Sequence, residues 1–277
     1  MTRSKYIKRK YRFFAFVKQL REWMFNTSVL LVLLAVCLLT WRAFNLPVRI
    51  NANLETVAAF RIPTQTMEQL YALSHIHDIP FSRLLTLYSL ENDFSPEVVH
   101  PDSLELYAIQ FNQLRRKFHA GDVRMYHDMF HSVLGEIQYF PIPMEYQGTY
   151  MYSDSWGSHR GTAIVDRENI RGRLPVVSMT DGHILHAGWH VQHGYHVIIV
   201  TENGNRYLYA HLNSIDDYVN QGNAIQAGQA LGTMGATGDA SPVHLHIGIS
   251  PNVSFAMDFW INPYPLLQHI SNRQNLY

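Results

Sequence analysis

Val243-His244-Leu245-His246-Ile247-Gly248-Ile249-Ser250 alternates between two side-chain types, the period of a half-buried β-strand. Successive strand residues point to opposite faces. His244 and His246 therefore share one face, while Val243, Leu245 and Ile247 point into a core. Two imidazoles on one face can serve a single metal centre. A polar face that carries two histidines by chance is the plain alternative.

Working outward, Leu174 to Met179, His183 to Trp189, Tyr195 to Thr201 and Arg206 to Leu212 also read as strands. Glu202-Asn203-Gly204-Asn205 is a hairpin turn, because Asn-Gly accepts positive φ. Gly222, Gly228, Gly232, Gly235 and Gly238 mark further turns. Simple alternation places Tyr207, Tyr209 and His211 on one face of the strand before that glycine-rich stretch. His159, Gly161 and Ala163 share a face if their segment is extended.

Before residue 140 the period changes. Residues 65–77, 81–92, 103–118 and 123–137 carry apolar side chains at helical spacing, and the last places Tyr126, Met129, Phe130, Val133, Leu134 and Ile137 on one stripe. Pro80, Pro96, Pro101 and Ala120-Gly121 separate them. The fold class expected is α+β: helices first, then a mostly antiparallel sheet.

The 277 residues carry 22 Lys+Arg against 22 Asp+Glu. That balance excludes a wholly basic nucleic-acid coat and an acidic disordered chain, and no nucleic-acid partner is expected. With 47% hydrophobic residues there is material for a core, and the single Cys37 excludes an intramolecular disulfide framework. The neutrality hides a split. Residues 1–23 carry eight basic side chains against Glu22 alone, a net +7, and the remainder a net −7. No charge appears between Glu22 and Arg42, a gap of 19 residues centred on Val29 to Leu39. Such a helix is roughly 28 Å long, close to the hydrocarbon thickness of a bilayer. Basic residues before it predict a cytoplasmic N-terminus. Trp23 and Trp41 bracket it, and no small-x-small cleavage site follows, so an uncleaved single-pass anchor is expected rather than a signal peptide.

The ordered set His159-x-Gly161, Pro175 to Gly182, Tyr209-Ala-His211-Leu212, Gly222 to Gly232, Gly235-Ala-Thr-Gly238 and Pro242-Val-His244-Leu-His246 resembles the lysostaphin/LytM-type zinc peptidase family. The resemblance runs from about Gly148 to Leu267, and Asn262-Pro-Tyr-Pro265 is similar to the close of the domain in anchored members. It implies a mostly antiparallel sheet with a groove between long loops, and peptidoglycan peptides as substrates. It implies zinc ligation by the His and Asp of His-x-Gly-x-Asp and by the second His of His-x-His. On those positions His159 and His246 are the metal ligands, and His211 and His244 the catalytic pair.

One position departs. Ala163 stands where the family has its Asp, and a methyl group cannot coordinate a metal. Catalytic zinc normally has three protein ligands and an open position. A degenerate site is therefore expected, with zinc weak or absent and catalysis weak or absent. The alternative is an active zinc endopeptidase with a compensating ligand. Asp166 is a candidate for that ligand only if a bulge reverses its parity, since three residues on it faces the other way from His159.

Three other features carry chemistry-bearing residues. His183, His186, His190, His193 and His196 lie within 14 residues, but on a regular strand His183 and His186 face opposite ways, so exposed scattered histidines are expected. His127 and His131 have i, i+4 ligand spacing on a helix without the Glu of His-Glu-x-x-His, which reads as solvated surface. Glu91 faintly resembles the acid of lytic transglycosylases, though the later motifs of that family are absent; a helix-terminal residue with a local partner is the simpler reading.

The organisation expected is a basic cytoplasmic tail (1–23), a transmembrane anchor (24–41), an extracytoplasmic helical segment (42–140) and a peptidase-like domain (141–277). The bulk of the chain would lie outside the cytoplasm at the cell membrane. Its partners would be peptidoglycan peptides, the membrane itself through one helix, and another envelope protein.

Overall fold

A computed structural model describes residues 3–44, 52–94, 101–157, 160–254, 256 and 258–275. The chain divides into two compact units, Met1–Val48 and Arg49–Tyr277.

The first unit is the helix α1 (Arg3–Phe44). Its stretch Phe13–Thr40 has a mean hydropathy of 2.1 and is long and apolar enough to cross a membrane; none of it is buried against protein. Thr27 Oγ1 donates to the Trp23 carbonyl at 3.0 Å, Ser28 Oγ to Met24 at 2.8 Å, and Thr40 Oγ1 to Val36 at 2.9 Å. Each hydroxyl is thus satisfied inside the helix, as an apolar surrounding requires.

The second unit opens with α2 (Leu54–Ala59), α3 (Thr64–Ile76), α4 (Phe81–Glu91), α5 (Pro101–Ile109), α6 (Phe111–Arg115) and α7 (Ala120–Glu136). Their apolar stripes meet in a core of Leu70, Leu84, Leu85, Tyr88, Leu104 and Phe130. Proline opens two of them: Pro63 and Pro80 hold extended backbone immediately before α3 and α4. The helix expected over 103–118 is two. It breaks at Gln110, whose carbonyl accepts from Gln113 at 2.9 Å and Leu114 at 3.0 Å and starts a new turn.

The strands follow: β1 (Tyr150–Tyr152), β2 (Thr162–Asp166), β3 (Pro175–Val177), β4 (Gly182–His190), β5 (Gly194–Val200), β6 (Arg206–Ile215), β7 (Ala224–Ile225), β8 (Ala230–Met234) and β9 (His244–Ser250). They run in the order β1-β2-β9-β6-β5-β4-β7, and β8 joins β6 to β3. Every pairing is antiparallel. The α+β reading and the antiparallel sheet both hold. A last helix, α8 (Tyr264–Gln274), packs on α3.

Helices and sheet share one continuous hydrophobic core. At their junction the carboxylate of Glu136, the last residue of α7, accepts from Thr201 (2.7 Å), Asn203 (2.7 Å), Asn205 (2.8 Å) and Tyr207 (3.1 Å). Four donors on one carboxylate fasten α7 to the β5–β6 hairpin, since hydrogen bonds to an ionised group are the strong ones.

Candidate functional site

Cross-strand register fixes which residues share the sheet face. On β9, Val243, Leu245 and Ile247 are buried, as alternation predicts, and His244 and His246 take the other face. Directly opposed residues project to the same side. His246 opposes Ala163 of β2 and Ala210 of β6, and His244 opposes Val165. Ala163 therefore stands on the His246 face, beside that ring.

Strand β6 departs from simple alternation. Tyr209 opposes Ile247, so Tyr207 and Tyr209 point to the buried face, away from His246. The expectation that His211 shares their face is wrong, and a bulge is the reason. Tyr209 opposes Val197 and Leu212 opposes Tyr195, so Ala210 and His211 together face His196 alone. His211 takes the left-handed φ of +64° there, a conformation that costs a non-glycine residue about 1–2 kcal/mol. Its amide donates to the His193 carbonyl at 2.8 Å. The ring lands 4.7 Å from the His244 ring and 6.0 Å from the His246 ring, centroid to centroid.

Two of these rings have defined tautomers. His211 Nδ1 lies 2.9 Å from the Thr237 carbonyl and His244 Nδ1 lies 2.8 Å from the Pro242 carbonyl. A carbonyl only accepts, so each Nδ1 carries the proton and each neutral ring offers its Nε2 lone pair. Burial holds His211 below the usual histidine pKa; the Thr237 carbonyl opposes that, His244 and His193 reinforce it, and Asp239 pulls the other way. Gly161 lies against the His246 ring, and a Cβ there would sit 2.4 Å from its Nε2 and 2.5 Å from the Ile247 carbonyl. Only glycine fits, a requirement the sequence reading did not attach to this position. The Ala163 amide donates to Ser155 Oγ at 3.1 Å.

His159 lies outside the described residues. Asp166 is described, and it is no substitute ligand. It faces away from Ala163 on a regular strand and is 3% exposed. Arg173 binds its carboxylate, and the amides of Glu168 (3.0 Å) and Ile170 (3.1 Å) donate to it. Burial would raise its pKa, but the Arg173 hydrogen bond, the two amides and the Arg173 charge together hold it below the ordinary carboxylate value. Among the described residues no group of three His, Cys, Asp or Glu side chains stands ready to hold a metal ion.

The five clustered histidines behave differently from expectation. A bulge between Ile184 and His186 reverses the parity of β4, so His183, opposite Val200, and His186, opposite Ile198, share a face after all. His186 stacks on His196 with centroids 4.7 Å apart, and His190 on His193 at 5.0 Å. His193 and His190 approach His196 at 5.7 and 6.1 Å. Four of the five thus form one cluster. Burial lowers the pKa of His193, with the His190 charge adding to it. His196 is lowered by burial and by its three histidine neighbours, against its hydrogen bond to Gly194.

His127 and His131 are not simply solvated either. Their rings stack at 5.4 Å, and Ser82 of α4 reaches His127 Nε2 at 3.3 Å and His131 Nδ1 at 3.4 Å. They serve helix packing. Glu91 ends α4, as the simpler reading has it, but its partner is not local: it pairs with Lys117, beyond α6, at 3.3 Å.

Residues 157–257 match the profile of Peptidase family M23. The L-Ala--D-Glu endopeptidase of Bacillus subtilis (strain 168) is 28% identical over 174 residues, which cover 57% of this chain and 52% of that protein. The glycyl-glycine endopeptidase ALE-1 of Staphylococcus capitis is 32% identical over 123 residues, 44% of this chain and 32% of that one. The chain thus spans about half and about a third of the length of these curated relatives. A crystal structure from Ruminococcus gnavus, described as a candidate glycyl-glycine endopeptidase lytM, superposes with a TM-score of 0.61 at 28% identity, covering 78% of this chain and 90% of that one. With the histidine-bearing antiparallel sheet and the ordered motifs, these matches show a Peptidase family M23 domain over residues 157–257, similar to the lysostaphin/LytM-type peptidases.

Proposed function

We propose that this protein is a membrane-anchored, extracytoplasmic lysostaphin/LytM-type domain that binds peptidoglycan peptides and has a degenerate zinc site with weak or no catalysis. The observation that carries the reading is Ala163, the cross-strand partner of His246. The family resemblance requires an anionic ligand at that position, and the chain offers a methyl group. The residues present do not fit a catalytic zinc: His246, with His159 as its family partner, leaves the third protein position empty, and Asp166 is spent on Arg173. What the chain keeps is a polar sheet face bearing His211, His244 and His246, on which the Nε2 lone pairs of His211 and His244 are suited to accepting from peptide N–H and ammonium groups.

The second reading is an active zinc endopeptidase with a compensating ligand. It is favoured by the fixed tautomers of His211 and His244, which leave two Nε2 lone pairs facing the site as acid–base chemistry needs.

Both readings put α1 in the membrane, with residues 1–23 in the cytoplasm and the unit from Arg49 outside. In that arrangement residues 42–140 are the helical segment next to the membrane and 141–277 the peptidase-like domain. Another envelope protein is a further partner suited to such an anchored surface.

The deciding experiment is zinc stoichiometry and affinity on the detergent-solubilised, metal-stripped chain beside its Ala163→Asp variant, with hydrolysis of purified peptidoglycan followed in parallel. Hydrolysis only in Ala163→Asp, with one zinc equivalent more than the unaltered chain binds, supports the degenerate reading. One tightly bound zinc with hydrolysis in the unaltered chain sinks it and establishes the alternative.

A further inference from the structure

The clustered histidines of the β4–β5 hairpin carry more than their sequence spacing predicts. His186, His190 and His196 share one face, because Gly188 opposes His196 and Gly194 opposes His190 across the hairpin. His186 opposes Ile198, Ile198 opposes Leu208, and Leu208 opposes Gly248, so this is the face that carries His246 two residues along β9. His193, in the turn, completes the group.

The spacing of the rings, though not their present orientation, is that of a metal site. Zinc–imidazole bonds are about 2.0–2.1 Å long, so two imidazoles on one tetrahedral ion have centroids about 5 Å apart. The separations of His186 and His193 from His196, 4.7 and 5.7 Å, bracket that figure, and His190 lies 5.0 and 6.1 Å from His193 and His196. His196 is 5% exposed, and its Nδ1 donates to the Gly194 carbonyl at 3.1 Å, leaving the Nε2 lone pair for a ligand bond. Among the described residues no carboxylate pairs with any of the four rings. The hairpin that holds them is fixed: Thr237 accepts from the Tyr195 amide at 3.0 Å and donates to the Leu212 carbonyl at 2.6 Å, and the Asp239 amide donates to Gln192 at 2.9 Å.

We propose that His186, His193 and His196, with His190 at the rim, form a second transition-metal site of imidazole donors on the same sheet face as His246. An all-imidazole donor set suits zinc, copper or nickel rather than magnesium or calcium. In the structure two pairs of rings stack, with interplanar angles of 26° and 29°, instead of converging on a point. Binding therefore requires the exposed ring of His186 to turn off the His196 stack and His193 to turn off His190. His190 is the weakest donor, because its Nδ1 already accepts from the Gln192 amide at 3.2 Å.

The test uses the full, untagged chain in detergent, stripped of metal and titrated with Zn2+ alone. His246→Ala removes the family's metal position, with His246→Gln as the substitute if the alanine variant unfolds at lower denaturant. In that background one equivalent of Zn2+ is expected to bind with micromolar or tighter affinity. Adding His186→Ala, at an exposed position, is expected to weaken it by at least about 10-fold, and adding His190→Ala by less. No Zn2+ bound in the His246 variant overturns the proposal. So does binding that weakens less than fivefold on His186→Ala, which places the ion elsewhere.

Discussion

Two groups of histidines lie on one sheet face, and they are held in different ways. At His211 and His244 each ring is tied to a backbone carbonyl of a neighbouring loop, Thr237 and Pro242. Those bonds fix tautomer and direction, although the two imidazoles also touch, tilted, at 4.7 Å. On the β4–β5 hairpin His196 is tied to the Gly194 carbonyl in the same way, but the rings stack face on in two pairs. A ring tied to the backbone is oriented before anything binds; rings that stack must move to act together. The first group is therefore pre-oriented, whereas the second must rearrange to converge on one point. The bulge at Ala210-His211 joins them, since its outer strand residue is His196 and the His211 amide bonds the His193 carbonyl.

The join is the most fragile point. Gly238 has φ +73°, and a Cβ there would lie 2.2 Å from the Gly194 amide nitrogen and 2.6 Å from the Gln192 carbonyl. Both obstacles are backbone and cannot rotate away. Gly238→Ala should cost about 3–4 kcal/mol and loosen both groups together, measured by denaturant unfolding and by histidine NMR shifts. A change confined to the hairpin would separate the two groups and break the comparison.

Asp166 is the control on the opposite side of β2. Asp166→Asn leaves Arg173 facing a neutral partner beside two amide donors. Breaking a buried pair costs about 3 kcal/mol, discounted toward 2 here because Arg173 is partly exposed. Unfolding should show that loss while metal affinity stays unchanged. A fall in metal affinity would mean that Asp166 reaches the His246 face.

A third histidine environment sharpens the contrast. His269 of α8 is buried between Tyr71 and Phe81. Burial, with the Arg273 charge adding to it, pushes its pKa down from 6.5 to about 4. Between those values the unfolded chain binds the proton and the folded one does not, so stability falls as pH drops. The loss should reach about 3 kcal/mol by pH 4. His269→Gln should flatten that part of the pH profile; an unchanged profile assigns the acid sensitivity to other groups.

Ala163→Asp should raise zinc affinity by at least about 10–100-fold, or about 1.4–2.7 kcal/mol, read by competition with a chelating dye. No gain would mean that the family position is lost for reasons beyond the missing carboxylate. The smallest effect is expected at His186→Ala. That ring is exposed, and stability should change by less than about 0.5 kcal/mol even though metal binding on the hairpin weakens by at least about 10-fold.

Much of the site could be read from β9 alone. Alternation in Val243 to Ile247 sorts buried from facing residues, because β9 is paired on both sides without a bulge. The same rule fails on β6 at His211 and on β4 at His186. In each case one strand carries an extra residue opposite its partner, and no glycine or proline marks the place. A bulge depends on what both neighbours require, and a single strand's residues do not contain that information. The break at Gln110 is of the same kind, since no proline or glycine stands at it.

The residues themselves determined the long apolar helix with its basic flank, the switch from helical to strand period near residue 140, and the ordered histidine motifs that resemble the family's. Those depend on composition and local period, which act within a few residues. Only the tertiary structure decided that His211 joins His244, that Asp166 belongs to Arg173, that Gly161 makes room for the His246 ring, and that four hairpin histidines meet. Each depends on a partner brought from another strand or loop, where register and close packing, rather than local propensity, choose the contact.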